Sequence, residues 1–212
     1  MNFDDQISAK IANSLLEIEA VKLNVSNPFT WASGIKAPIY CDNRRILSFP
    51  EIRKLVSKSM VSLIREKFEH FDCIAGVATG GIPHGVLVAD ILQLPFVYVR
   101  SDKKEHGLGN LIEGVVKPGW KILVVEDLIS TGQSSLSAVE RVRQSGCSVI
   151  GMIAIFTYGF ALAADNFRKA DCNLITLTDY NTLINVASKQ GYIKNNEISA
   201  LEKWKKDPQA GI

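Results

Sequence analysis

The sequence predicts an α/β fold: a central, mainly parallel sheet flanked by helices, with a small cap from the N-terminus. Three observations lead there. Apolar runs and helical patterns alternate from residue 73 to 179, and strand–helix–strand units close as right-handed crossovers between parallel strands. The apolar runs lack the two-residue alternation of a half-exposed sheet, as expected where helices cover both faces. Residues 27–50, in contrast, are rich in Pro, Gly and aromatics and show little helical periodicity.

Ile7, Ile11, Leu15 and Ile18 recur at helical spacing, which predicts an amphipathic helix over 4–20. Short strands and turns follow in "NPFTWASGIKAPIYCDNRRILSFP". Pro50 then opens a helix to about residue 69, with Glu51 in its first turn. "CIAGV" (73–77) is a strand, "ATGGIPHG" (78–85) a turn, "VLVADILQL" (86–94) a helix and "PFVYVR" (95–100) a strand. A polar loop spans 101–114. "KILVVED" (121–127) is a strand that ends on two acids, and 133–145 is a helix stopped by Gly146. Strand 148–158, helix 160–169 and strand 172–179 complete the alternation, and two helices close the chain. The N-terminal segment falls outside this repeat and is expected to form a cap, together with the C-terminal helices. With no repeat, low-complexity tract or linker, residues 1–212 read as one domain.

The composition excludes several classes. A chain of 212 residues holds one core, or one core with a small subdomain. The formal net charge of +2 is too small for a nucleic-acid-binding face, so no nucleic-acid partner is expected. Cys41, Cys73, Cys147 and Cys172 form no CxxC pair, which excludes a zinc knuckle or redox dithiol. They read as small buried thiols in a reducing cytosol. "MNFDDQISAKIANSLLEIEA" is neither a signal peptide nor a membrane span, and a cytoplasmic location is expected.

Chemistry concentrates in "ILVVEDLISTGQSS" (122–135). Ligands of an open parallel sheet bind outside the carboxyl ends of its strands. Glu126 and Asp127, costly to bury side by side, are expected at a wet edge there. A helix N-terminus follows, with unpaired N–H groups suited to a phosphate. Ser130, Thr131, Ser134 and Ser135 add hydroxyl donors, and Gly132 lets the backbone approach closely. Carboxylates for a vicinal diol beside amides for a phosphate monoester would grip a ribose 5-phosphate. An ordinary capping loop with surface acids is the alternative reading. There is no GxxxxGK[ST] and no GxGxxG after the first strand, which disfavours a P-loop or dinucleotide site.

This stretch resembles the phosphoribosyl pyrophosphate (PRPP) signature of type I phosphoribosyltransferases. Two further segments are similar to the orotate branch of that family: "FTWASGIKAPIYCDNR" (29–44) to its N-terminal hood, and "VRSDKKEHGLGNLIEG" (99–114) to its mobile catalytic loop, R-x-x-x-K-x-H-G. The resemblance covers nearly the whole chain and is weakest after residue 180. It implies a hood over about 1–48 plus part of the C-terminus, a core over about 50–180 and a mobile loop over about 100–114. It also implies Mg²⁺-dependent transfer of ribose 5-phosphate from PRPP to orotate, giving orotidine 5′-monophosphate and pyrophosphate.

By the same resemblance, Glu126, Asp127, Leu128, Ile129, Ser130, Thr131, Gly132, Gln133 and Ser134 hold PRPP. Arg100, Lys104 and His106 serve as catalytic and PRPP-binding residues on the loop, which reaches into the neighbouring subunit of a homodimer. Thr79, Gly80 and Gly81 form a pyrophosphate turn, although a plain structural turn reads equally well. Ser130, Tyr40 and Lys36 meet orotate, and Arg44 or Arg45 could help position substrate. Tyr40 could instead be core. Mg²⁺ would be held mainly by PRPP rather than by a protein cage. The sequence departs from some orotate enzymes at Ala32, Gly80, Ser101 and Tyr158, where those enzymes carry cations; Lys103 could replace one of them. A purine phosphoribosyltransferase, or a PRPP-sensing regulator on the same fold, are the competing functions.

Overall fold

The computed structural model describes residues 5–100 and 111–210. The chain opens with α1 (Asp5–Glu17) and continues through two antiparallel pairs. β1 (Val21–Leu23) pairs with β4 (Ile39–Cys41), and β2 (Phe29–Thr30) with β3 (Lys36–Ala37). A 3₁₀ turn, Asn43–Ser48, leads into α2 (Pro50–Lys67), with proline in its first turn as predicted.

The core then alternates: β5 (Cys73–Val77), α3 (Gly81–Leu92), β6 (Phe96–Val99), β7 (Ile112–Glu113), β8 (Lys121–Ile129), α4 (Gln133–Gln144), β9 (Ser148–Thr157), α5 (Ala161–Lys169) and β10 (Leu174–Asp179). These strands form one six-stranded sheet in the order β10-β9-β8-β5-β6-β7. Every pairing is parallel except β6 with β7. α6 (Tyr180–Lys189) and α7 (Ile198–Lys206) close the chain.

Alternation along β8 divides the core between the two faces of the sheet. Leu123 and Val125 join Ile74, Ile153 and Ile155 in a cluster that also takes in Leu15 of α1 and Met60 of α2. Ile122 and Val124 join Cys73, Ala75 and Met152 under Val139 and Val142 of α4. The N-terminal segment and the C-terminal helices meet as expected. Trp31 lies 5.0 Å from the Tyr158 ring and 5.7 Å from Trp204, and the Tyr180 hydroxyl donates to the Leu201 carbonyl at 3.0 Å.

Three differences from the sequence reading bear on the site. α3 starts at Gly81, not at 86. Its first turn, Gly-Ile-Pro-His-Gly, looks like a loop, yet proline is tolerated there. The glycines let the helix sit close to the sheet: a Cβ on Gly85 would lie 2.6 Å from the Phe96 ring. β8 runs two residues beyond the acids, because Leu128 and Ile129 continue the ladder to Phe156 and Thr157. The segment read as a continuous loop holds the short β7. Residues 101–110 of that segment lie outside the described residues.

Candidate active site

Since β8 continues past them, Glu126 and Asp127 sit inside a strand and face opposite sides of the sheet. Glu126 faces α4. It is 6% exposed, and its carboxyl accepts the Ser135 hydroxyl at 3.0 Å and the Asp127 N–H at 3.0 Å. Burial first, then the Asp127 charge, pushes Glu126 well above the ordinary carboxylate range, which favours the protonated acid. The expected wet edge is thus corrected for Glu126, and the Ser135 hydroxyl is already taken by it. Asp127 faces α3 and is half-buried. Its carboxyl lies against the turn between β5 and α3, so closely that a Cβ on Gly80 would overlap it.

Behind Asp127, on the sheet-facing side of α3, stands His84. Its imidazole is 1% exposed, and among the described residues neither ring nitrogen has a partner. Burial lowers its pKa to about 4, against an opposing pull from the Asp127 carboxylate. Nothing in the sequence pattern marked this residue.

In front of Asp127 opens a cleft of about 460 Å³. Its floor includes Glu126, Asp127 and Leu128; one wall is Ala78, Thr79 and Gly80, and the other Ser130, Thr131, Gly132 and Ser134. Gly132 has φ +79°, and a Cβ there would lie 2.6 Å from the Phe167 ring. Only glycine allows this turn. It delivers the N-terminus of α4, capped by no side chain, to the cleft. The first helical bond runs from the Leu136 N–H to the Gly132 carbonyl at 2.9 Å, which leaves the preceding amides for a ligand.

Cys41, Asp42 and Arg44, from β4 and the turn after it, form the rim. Asn43 fixes that rim to the floor: its Nδ2 donates to the Asp127 carbonyl at 2.7 Å, and its Oδ1 accepts the Cys41 thiol at 3.4 Å. Cys41 is half-buried at the cleft rather than in the core. Burial, with the Asp127 and Asp42 charges adding, raises its thiol well above the ordinary value, so it is no activated nucleophile.

The predicted site residues separate into groups. Thr79, Gly80, Glu126, Asp127, Leu128, Ser130, Thr131, Gly132 and Ser134 line the cleft. Gly81 and Ile129 are buried in the fold beside it, and Ile129 is fully covered. Gln133 points elsewhere, lining a shallow hollow with Leu136 and Asn166 on the α5 side. Tyr40 is 42% exposed, its ring 5.9 Å from that of Phe29, so it is not core. Lys36 is exposed on β3, away from the lining. Arg100 pairs with Glu113 at 3.3 Å. Its carbonyl accepts from Arg141. Lys103, Lys104 and His106, with the loop glycines Gly107 and Gly109, lie outside the described residues.

Comparison with known proteins agrees with this geometry. A phosphoribosyl transferase domain matches residues 42–187. The orotate phosphoribosyltransferase of Bacteroides thetaiotaomicron is 57% identical over 197 residues, covering 93% of each chain. That of Listeria monocytogenes is 50% identical over 203 residues, covering 96% of this chain and 97% of its own. Among solved structures, orotate phosphoribosyltransferase from Aeropyrum pernix superposes with a TM-score of 0.74 at 25% identity, over 87% of this chain and 99% of that one. Leishmania donovani UMP synthase gives a TM-score of 0.78 at 23% identity; this chain covers 43% of it, a likeness of fold. A signature strand, a glycine turn into an uncapped helix N-terminus and this degree of identity over nearly the full length agree: the chain belongs to the orotate phosphoribosyltransferase family.

Proposed function

We propose that the cleft binds PRPP and orotate together and performs the transfer with the residue roles that follow. The reaction is orotate phosphoribosyl transfer. The orotate N1–C1′ bond forms while the C1′–oxygen bond to pyrophosphate breaks. Pyrophosphate leaves with the electron pair, and orotate gives up its N1 proton. The observation that carries the role assignments is the convergence, in one cleft, of the Asp127 carboxylate, the uncapped α4 N-terminus and the Thr79–Gly80 turn.

Asp127 accepts hydrogen bonds from the ribose diol. The amides at the start of α4, with the Ser130, Thr131 and Ser134 hydroxyls, hold the 5′-phosphate. The Thr79–Gly80 turn and the loop cations Arg100, Lys104 and His106 meet the pyrophosphate, where negative charge develops as the bond breaks. Ser130 meets orotate, with Tyr40 approaching from the hood. The loop closes across a homodimer and excludes water from the cationic sugar.

Mg²⁺ belongs to this proposal. Among the described residues no group of three His, Cys, Asp or Glu could cage a metal. The ion would be held mainly by PRPP oxygens and water. When bound, it would neutralise pyrophosphate charge. Among the described residues no helix is long and apolar enough to cross a membrane. The cytoplasmic location expected from the unpaired cysteines is kept as part of the proposal.

Pyrophosphate release with PRPP and Mg²⁺ tests the reading, with orotate, uracil, hypoxanthine, guanine, xanthine and adenine as acceptors. Turnover confined to orotate, and abolished by chelator, is expected. Turnover on a purine would overturn the assignment of the base contacts. PRPP binding without turnover on any base would mean that the cleft senses rather than transfers.

A further inference from the structure

Orotate carries a carboxylate beside the nitrogen that attacks, and a selective site needs a donor for it. Most cations near the hood are excluded by the structure. Lys36 stands off the cleft lining. Arg45 is turned away, its Nε donating to the Ile18 carbonyl at 2.9 Å. Gly80 has no room for a side chain beside Asp127. Tyr158 is 3% exposed within an aromatic cluster with Trp31, Phe160 and Trp204, and cannot reach a base.

Arg44 is the one cation among the described residues lining the cleft. Its neighbour Asn43 is bonded to the Asp127 carbonyl, which sets the Arg44 backbone over the floor of the site. Its guanidinium already grips a carboxylate by the fork: Nε and Nη2 donate to the two oxygens of Asp42 at 2.6 and 2.9 Å. This planar two-point grip is the one a substrate carboxylate would need. The Arg44 side chain is 63% exposed, and an exposed pair of this kind contributes little stability, so exchanging one carboxylate for another is cheap. Asp42 keeps its place without the guanidinium, because its Oδ1 also caps the turn by accepting the Arg44 N–H at 3.2 Å.

We propose that Arg44 is a specificity-determining residue that leaves Asp42 and takes the carboxylate of orotate in its fork. Asp42 is then an internal stand-in: without substrate it holds the guanidinium in the cleft, oriented and clear of the acidic floor. The inference rests on orotate being the base. Its failure is distinguishable from failure of that reading, because the latter would show as a parent enzyme that does not turn orotate over.

The test compares KM for orotate, KM for PRPP and the inhibition constant of uracil, a base without the carboxylate, in the parent, Arg44→Gln, Arg44→Lys and Asp42→Asn. Loss of a charge-assisted pair predicts an orotate KM raised about 10- to 100-fold in Arg44→Gln, with PRPP KM and uracil inhibition within about twofold. Arg44→Lys, a charge without the fork, should recover part of the loss. Asp42→Asn keeps the backbone cap but weakens the competing grip, so its orotate KM should stay level or fall. An unchanged orotate KM in Arg44→Gln, or a uracil constant rising in step with it, would overturn the proposal. So would an orotate KM in Asp42→Asn that rises as in Arg44→Gln, since the pair would then act as a structural unit.

Discussion

Gly80→Ala isolates the contact between the β5–α3 turn and Asp127, the acid proposed to bind the ribose. Gly80 has φ −67° and ψ −33°, ordinary for alanine, so the backbone has no objection. The whole effect falls on the added Cβ, which would overlap all three carboxyl atoms of Asp127. A carboxylate at the end of a side chain can turn away, so the fold absorbs the change at a cost below about 1 kcal/mol. The turned carboxylate, however, would no longer face the ribose diol of the proposed complex. A hydrogen bond to a charged group contributes about 1.5–3 kcal/mol, which corresponds to roughly 10- to 150-fold in kcat/KM for PRPP. Gly81→Ala is the control. Its Cβ would overlap the Val125 carbonyl, which is backbone inside a buried strand and cannot turn. Overpacking of that kind costs about 1–3 kcal/mol, or a Tm lower by about 2–10 °C in a chain of this size. Steady-state kinetics against PRPP and thermal melts of both variants decide the matter. Gly80→Ala with parental kcat/KM, or with a melting loss equal to that of Gly81→Ala, would refute the reasoning.

Further predictions concern the buried groups and the loop. Glu126 is raised in the folded state from its ordinary 4.5, so its stabilising share is complete below that value and is lost as pH rises through the folded pKa. Denaturant unfolding should therefore show Glu126→Gln gaining on the parent as pH increases above 4.5. His84 is the opposite case. Its pKa falls from 6.5 to about 4 on folding, so its share is present above 6.5 and is lost on acidification towards 4. That loss is on the order of 3 kcal/mol, and it should be absent from the acid limb of His84→Gln. Ser135→Ala removes the hydroxyl bonded to the Glu126 carboxyl and should lower stability by about 1–3 kcal/mol in the same assay. Lys104→Ala mixed with Asp127→Asn should recover part of the activity that each lacks alone, if the loop serves the partner's site; inactive mixed dimers would confine the loop to its own subunit.

Much of this was legible in the sequence, for a physical reason. β5 and β8 are covered on both faces, so their apolar runs announce a parallel sheet, and the Ser-Thr-Gly turn after β8 announces an open helix N-terminus. What stayed hidden depends on contacts between distant segments. α3 begins in residues that resemble a loop because Gly81 and Gly85 answer to the backbone and ring packed against them, not to helix propensity. Asn43 reads as one polar residue among several in "YCDNRR", and only the fold brings it to the Asp127 carbonyl, 84 positions away. The overrun of β8 was masked by the acids themselves. Adjacent carboxylates look like the end of a strand, yet the ladder to Phe156 and Thr157 outweighs that signal.

Strand geometry also explains how two adjacent acids come to differ. Alternation sends neighbours to opposite faces, so the two acids meet different surroundings. Glu126 is drawn into the α4 face, where it is desolvated, bonded to Ser135 and driven towards its neutral form. Its carboxyl also accepts the Asp127 N–H, so the first acid fixes the backbone that carries the second. Asp127 is held from three sides: by Glu126 through its N–H, by Asn43 through its carbonyl, and by the Gly80 turn against its carboxyl. The backbone that carries the Asp127 carboxyl is therefore fixed on both sides of its Cα, while the carboxyl itself keeps the freedom to turn.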